Sequence, residues 1–499
     1  MITATKEMLQ KNDALYEKRK NEILNTKDSL SVTGDIYYVS NVGNDENDGK
    51  TPDTPWKSLD RVSDAQLESG DGVLFKRGDL FRGRVVTKPG VSYGAYGEGE
   101  KPKFYSGEKD YADETLWELY DFEKNIWKCK EKMRDAGTLV FNHGQAHARK
   151  LIPSYINGQF VCRDDESRLF DVRNEMTLNL DVYWHFEEKF STSPSKGEHF
   201  PVPDTIGGFG DLYLRCDEGN PGVVFDSIEH LAGRHMFLVG TNDNVTIDNL
   251  CIKYVGMHGI AAGGGLVKGL KVTNCEIGWI GGAILHYSGM DPNYPEGGRG
   301  TVTRYGNGIE IYGACEDYTV SNCYIYEVYD AGITHQVTAP RKITMTKIRY
   351  TDNLLKNCVY GIEYFLDIRA GGEESYMDDV VMQGNLFRLS GYGWGQQRHN
   401  TDTPAHIKGW SFQNTATNYF ITDNIFDRCA YRMLHLVAEK ADSCPVMNGN
   451  TYIQNLSGML GQYGTTESGE PEILYFDENT EQKIREVLGD KSAKIFCIE

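Results

Sequence analysis

Seven stretches decide the fold: TIDNLCI (246–252), KVTNCEI (271–277), TVSNCYI (319–325), YTDNLLK (350–356), MQGNLFR (382–388), ITDNIFD (421–427) and MNGNTYI (447–453). Each is a β-type run, an Asn, then a small apolar patch that leads into a Gly-rich strand. The shared residues are Asn249, Asn274, Asn322, Asn353, Asn385, Asn424 and Asn450, at spacings of 25, 48, 31, 32, 39 and 26. One coil therefore takes about 25 residues, and a longer gap holds a coil with a loop, or two coils. A fixed period in the twenties with inward β-branched residues marks a solenoid. An Asn at the same bend of every coil can pass its amide to the coils above and below, and it tolerates left-handed backbone. The predicted fold is all-β: a right-handed parallel β-helix with an inserted antiparallel β domain and short N- and C-terminal helices.

The rest of the chain is arranged around those coils. Residues 1–30 read as a charged helix, 31–105 as a cap with the first coils, and 106–230 as the insert. Residues 231–465 carry the main coils, and 466–499 form a tail with a helix, ENTEQKIREVLGD. Within the insert, ETLWELYDFEKNIWKC, GTLVFNHGQAHARKLIP, DVYWHFEEKF and DLYLRCDEGNP alternate like antiparallel strands and not like coils.

Composition narrows the partners. The formal charge of −20 argues against nucleic acid, because an acidic surface repels a polyanion. No stretch is long and apolar enough to span a membrane. The 11 Cys include no CxxC pair, and Cys251, Cys275 and Cys323 recur in register, as reduced core thiols would. The N-terminus MITATKEMLQKNDALYEKRKNEI has no basic segment followed by an apolar run, so the expected location is cytoplasmic and the expected substrate short. The run at 45–49 lacks the alternating spacing of an EF-hand loop and reads as a turn. No metal and no cofactor is assigned. A homo-oligomer in which the insert covers a neighbour's groove is left open.

The string YYVSNVGNDENDGKTPDTPWKSL (37–59), a Gly-Asp turn and GAYGEGEKPKF (94–104) resemble the start of pectate-lyase-like β-helix proteins. Pro55 and Trp56 then open a helix that plugs the apolar interior. The insert's order of a Trp-rich strand, LVFN-x-G with ARKLIP, and DLYLRCDEGNP resembles the β-sandwich insert of β-helix glycoside hydrolases. The β-xylosidases of glycoside hydrolase family 120 and relatives such as family 141 carry such an insert. The resemblance covers most of 35–460 and implies hydrolysis of a glycoside with retained configuration.

Candidate chemistry comes from the Gly-rich strands HGIAAG, GGAILHY, NGIEIYG, AGITHQV, YGIEYFLD and RMLHLVA. With Ile260, Ile284, Ile309, Ile333, Ile362 and Leu434 inward, alternation turns Ala261, Leu285, Glu310, Thr334, Glu363 and His435 outward. Coils about 4.8 Å apart put Glu310 and Glu363 roughly 9–10 Å apart. Two carboxylates flanking a groove are the minimum kit for glycoside hydrolysis, and that separation suits inversion, whereas retention needs about 5 Å. Glu310 is the chosen participant, and its partner stays open among Glu363, Asp330 and Asp367. An outward Glu is more often a solvated face. Glu310 stands out because Arg304, Tyr305, Asn307 and Tyr312 surround it with groups that suit sugar hydroxyls and a ring face. His258, His286 and His335 end successive strands and read first as a hydrogen-bonding ladder. The functional reading assigns His286, His335 and Gln336 to substrate, with Trp394 and Arg398 from the loop that follows.

The leading reading is a glycoside hydrolase on a plant-derived oligosaccharide, β-xyloside-like or related. A polysaccharide lyase or epimerase on a uronate glycan ranks second, since no Lys/Arg column is visible on the coils. A non-catalytic carbohydrate-binding β-helix ranks third.

Overall fold

The ladder Asn sets the shape of every coil. In the computed structural model the chain winds into a three-faced parallel β-helix, described for all residues except 1, 28–29, 157–158, 187–190, 193–200, 203–208, 288–301, 399–402 and 411–414. The first face follows each Asn and runs from Cys251–Val255 through Glu276–Ile280, Tyr324–Val328, Leu354–Lys356, Leu386–Ser390 and Ile425–Cys429 to Thr451–Asn455. The second face contains Ile260–Lys268, the start of Ile309–Ser321, Ala331–Ala339, Tyr360–Ile368, Ala405–Gly409, Arg432–Ala438 and Met459–Thr465. The third face leads into the next Asn. Every interval between ladder residues is a single coil. Glu276 pairs directly with Tyr324, so the gap of 48 is one coil with an excursion.

The Asn side chains form the expected ladder. The Nδ2 of Asn353 donates to Asn385 Oδ1 at 3.0 Å, Asn385 to Asn424 at 3.0 Å, and Asn424 to Asn450 at 3.1 Å. The run ends on Asp490, whose carboxylate accepts from Asn450 at 2.9 Å. The left-handed residue is not always the Asn. Asn249, Asn274 and Asn322 have φ of 62°, 55° and 51°, but in later coils Asp352, Gly384, Asp423 and Gly449 take that conformation one place earlier.

Three devices finish the solenoid. At the N-terminal end, Trp56 and the helix Leu59–Asp64 put Leu59 and Val62 into the same apolar core as the coil residues. At the other end, the helix Thr480–Glu486 does so with Ile484. The helix Lys6–Leu24 lies along the first face, where Asn12 donates to Asp427 at 2.7 Å and the Tyr16 and Tyr324 hydroxyls meet at 3.0 Å. The 11 cysteines are free thiols, and all but the partly buried Cys444 are buried.

The insert is not a self-contained sandwich. Its sheet holds Trp117–Asp121, Ile126–Cys129, Phe209–Arg215, Asp181–Phe186, Arg149–Lys150 and Met133–Arg134, antiparallel except where Arg149–Lys150 pairs parallel with Asp181–Phe186. The layer beneath is Ala136–Phe141 with Ile228–Ala232, and Ala232 pairs with Val255 of the helix's first face. Trp117, Leu139, Phe141, Val182, Leu212 and Leu214 fill the space between. The insert therefore grows out of a helix sheet.

Candidate active site

A glycine column sets the register here. A Cβ on Gly259, Gly308, Gly332 or Gly361 would collide with the carbonyl oxygen of the following coil, so these four bends before the second face require Gly. The next residue faces the core, giving the column Ile260, Ile309, Ile333, Ile362, Ile407 and Leu434. Outward beside it stand Ala261, Glu310, Thr334, Glu363, Lys408, His435 and Gln462. Ile284 and Leu285 do not belong to this series. Their strand, Ala283–Tyr287, pairs antiparallel with Val302–Tyr305 as a hairpin off the helix. Ile407 and Lys408 hold the position that the Gly motif failed to mark, because His406 replaces the bend Gly.

Glu310 and Glu363 are outward yet almost fully covered, at 5% and 6% exposure. Glu310 Oε2 accepts from Thr334 Oγ1 at 2.5 Å and from Asn307 Nδ2 at 2.6 Å. Gln336 Nε2 lies 3.2 Å from both of its oxygens. Burial outweighs these donors and pushes the Glu310 carboxyl up to about 7. Glu363 is also pushed up to about 7, by burial first and then by the negative charge of Asp330, with Lys408 Nζ at 3.7 Å pulling the other way. Asp330 is ion-paired to Arg398 Nη1. The three carboxyls thus share one buried patch.

Asp367 lies four residues beyond Glu363 on the same strand, is paired with Arg369 at 2.7 Å, and is not brought to the pair. His335 is a correction: it follows the outward Thr334 and therefore faces the core. Its Nδ1 is 2.9 Å from Tyr350 Oη, its ring stacks on Tyr364 at 5.4 Å, and burial drives it down to about 3. Gln336, the next residue out, does reach Glu310. Trp394 is also corrected. It is 2% exposed, packs against Tyr329 at 5.2 Å, and its Nε1 donates to the Glu327 carbonyl, so no sugar can stack on it. His258 stacks on His235 at 5.0 Å and His335 faces the core, so these two do not form the expected ladder. The backbone of His286 pairs with Thr303, and its side chain lies outside the described residues.

Arg304 and Tyr305 come from the hairpin. Arg304 donates to the Gly282 and Gly137 carbonyls at 2.7 and 2.9 Å and covers Tyr329, so it ties the hairpin to the insert. Tyr305 lies edge-on to His258 at 5.1 Å, and burial and the charge of Glu310 push its hydroxyl up. Asn307 is the hinge of the site. Its N–H donates to His258 Nδ1 at 2.9 Å, and its side-chain oxygen accepts from Ala331 N at 2.8 Å while its amide holds Glu310.

Several groups take places that the reading from sequence did not give them. Lys408 donates to Tyr360 Oη at 3.0 Å beside Glu363. Lys150, from the insert, is ion-paired to Asp135 in a buried position, and Asp135 also accepts from Ile284 N at 2.6 Å. Gln397 bonds the backbone of both Ala148 and Lys150, which docks the loop carrying Arg398 onto the insert. A second outward column, Tyr312, Gln336, Phe365 and Trp410, runs beside the carboxylates. Phe365 and Trp410 pack at 4.1 Å, and Tyr312 and Trp410 are exposed. Only the alternation from Glu310 through Tyr312 and from Glu363 through Phe365 signalled this ledge.

Two carboxyls near neutrality predict a bell-shaped activity profile. The working form has one carboxyl protonated and one ionised, so the optimum is expected close to pH 7 with closely spaced limbs. Asp330→Asn removes a charge that raises Glu363, so the alkaline limb is expected to move to lower pH. A kcat/KM profile with an unmoved alkaline limb would show that Glu363 is not the acid. Stability follows the same shift. A carboxyl raised from 4.5 to about 7 binds more protons folded than unfolded, so the contribution of Glu310 to stability is fully present below pH 4.5 and is lost as pH rises through about 7.

Among the described residues, no group of three or more His, Cys, Asp or Glu is placed to hold a metal ion, and no helix is long and apolar enough to cross a membrane. No family model matches the chain. A 123-residue stretch is 28% identical to the lacto-N-biosidase of Bifidobacterium longum subsp. longum, spanning 22% of this chain and 8% of that protein. Among solved structures, a xylose complex of XylC aligns over 92% of this chain and 86% of its own, at 10% identity and a TM-score of 0.36. A glycoside hydrolase aligns over 85% of this chain and 88% of its own, at 10% identity and a TM-score of 0.43. The fold rests on the strand register itself, and these likenesses identify no reaction.

Proposed function

We propose that this chain is a glycoside hydrolase acting on an oligosaccharide, β-xyloside-like or a related neutral glycoside. The observation that carries the reading is the pair of buried outward carboxyls, Glu310 and Glu363, both raised to about 7 and set two coils apart beside an aromatic ledge. Two coils correspond to about 9–10 Å, room for a water on one face of the sugar and the leaving group on the other. Glu363, raised further by Asp330, is the acid that protonates the glycosidic oxygen. Glu310 is the base. Its Oε2 is occupied by Thr334 and Asn307, which leaves Oε1 with only the longer Gln336 contact and free to take a proton from water.

The test is a panel of aryl glycosides and plant oligosaccharides, with the first-formed sugar followed by proton NMR. An inverted anomeric centre is expected. Retention would move the chemistry to neighbours one coil apart, Asp330 and Glu363. The lyase reading gains one specific observation, Lys408 in the carboxylate column with Arg398 beside Asp330, since cations there could neutralise a uronate. An ultraviolet-absorbing unsaturated product, with no hydrolysis, would establish it.

A further inference from the structure

The outward column does not end at the carboxylates. Beyond Glu363 it continues through Lys408, His435 and Gln462 toward the C-terminal coils. Beside it, Tyr360, Ala405 and Arg432 form the neighbouring outward register. Arg432 Nη1 bonds His435 Nδ1 at 2.6 Å and Gln462 Oε1 at 2.8 Å. Among the described residues its guanidinium has no carboxylate partner, and its buried Nε has no hydrogen-bond partner. Glu470 approaches only through Gln462, whose Nε2 donates to it at 3.1 Å. Burial, together with Arg432 and Lys408, holds His435 down at about 4, so it is a neutral spacer between two cations.

In a chain of formal charge −20, the candidate groove thus carries an arginine with no carboxylate partner among the described residues, held over the Tyr431 ring at 5.1 Å, and Lys408, whose Nζ lies 3.7 Å from Glu363. Two further facts orient the groove. The ledge of Phe365 and Trp410 lies on the same coils as Glu363 and Lys408, where a sugar ring can rest against it. The site of positive charge is two coils past Glu363, about 9–10 Å, which is roughly the reach of two sugar units.

We infer that Arg432, with His435 and Lys408, forms a subsite for an anionic substituent, a carboxylate or a sulfate ester, borne by the oligosaccharide two units from the bond that is cut. The inference rests on the carbohydrate reading of the Glu310–Glu363 site, and it makes the substrate a neutral backbone with an acidic branch. A guanidinium fork suits both anions, because each offers two coplanar acceptor oxygens.

The experiment is calorimetric titration of the full-length protein with three probes: xylotriose, xylotriose carrying a glucuronic acid branch, and xylotriose carrying a sulfate ester. At least one acidic probe is expected to bind about tenfold or more tightly than plain xylotriose, and the tighter of the two names the anion. Arg432→Gln is expected to abolish that preference while leaving plain xylotriose within about twofold. Arg432→Lys, which keeps the charge and loses the fork, is expected to retain part of it and serves if the Gln variant does not fold. Equal binding of all three probes by the unmodified protein would overturn the subsite. So would an Arg432→Gln variant that weakens all three alike, since that is a packing effect. Turnover is read separately. Loss of the glycosidase reading shows as no released sugar, whereas loss of the subsite shows as no binding preference.

Discussion

Glu310→Gln is expected to lower kcat by about 10²–10⁴-fold, the usual contribution of a positioned general base, with the fold intact. Glutamine keeps the size of the side chain and can still accept from Thr334 and Asn307, so the ladder and the hairpin stay in place. What it cannot do is take a proton from water. Glu363→Gln is expected to cost a similar factor on natural glycosides but much less on aryl glycosides with acidic leaving groups, which need no protonation to depart. That difference assigns the roles. A Glu310→Gln loss that vanished with activated leaving groups would exchange acid and base. Undiminished kcat in both variants would remove the carboxylate pair from the chemistry altogether. Neither variant is expected to be less stable above pH 7, because each removes a carboxyl that burial penalises when charged.

Asn385→Ala is expected to be the most damaging single change in the scaffold. The Asn385 amide donates to the Tyr350 carbonyl at 2.8 Å and to Asn424 at 3.0 Å, and its oxygen accepts from both nitrogens of Asn353 at 3.0 Å. Truncation strands the Tyr350 carbonyl and the Asn353 N–H inside the core. At about 1–3 kcal/mol for each of these two buried unpaired groups, the loss is roughly 2–6 kcal/mol. The denaturant midpoint of Asn385→Ala should fall accordingly, and that of Asn455→Ala, an exposed Asn at the end of the first face, should barely move. Equal midpoints would mean that the ladder decorates the bend without holding it.

Much of this was legible because a solenoid repeats its own grammar. The Asn ladder and the Gly-Ile bend recur often enough to set the coil, the inward column and hence the outward positions of Glu310, Thr334 and Glu363. The errors came where the grammar breaks. GGAIL carries the bend motif, but an excursion within a 48-residue interval diverts it into a hairpin. AHIKG lacks the bend Gly and still enters the column, so the sequence did not place Lys408 on it. His335 was misplaced against the alternation that had turned Thr334 outward, and that rule alone would have put it in the core. Trp394 looked like a loop aromatic because nothing local shows that Glu327 and Tyr329 enclose it.

The amino-acid sequence alone determined the coil period, the ladder and which face carries the carboxylates, because each depends on contacts between positions that repeat at the same place in neighbouring coils. The tertiary structure decided which carboxyls meet and in what electrostatic setting. Asp330 is set beside Glu363 by the pairing of their coils and is tied to Arg398, whose loop docks on the insert, and both glutamates rise to about 7 only because that region is buried. Desolvation depends on everything that covers a group, here including segments more than a hundred residues away, and no local pattern encodes it.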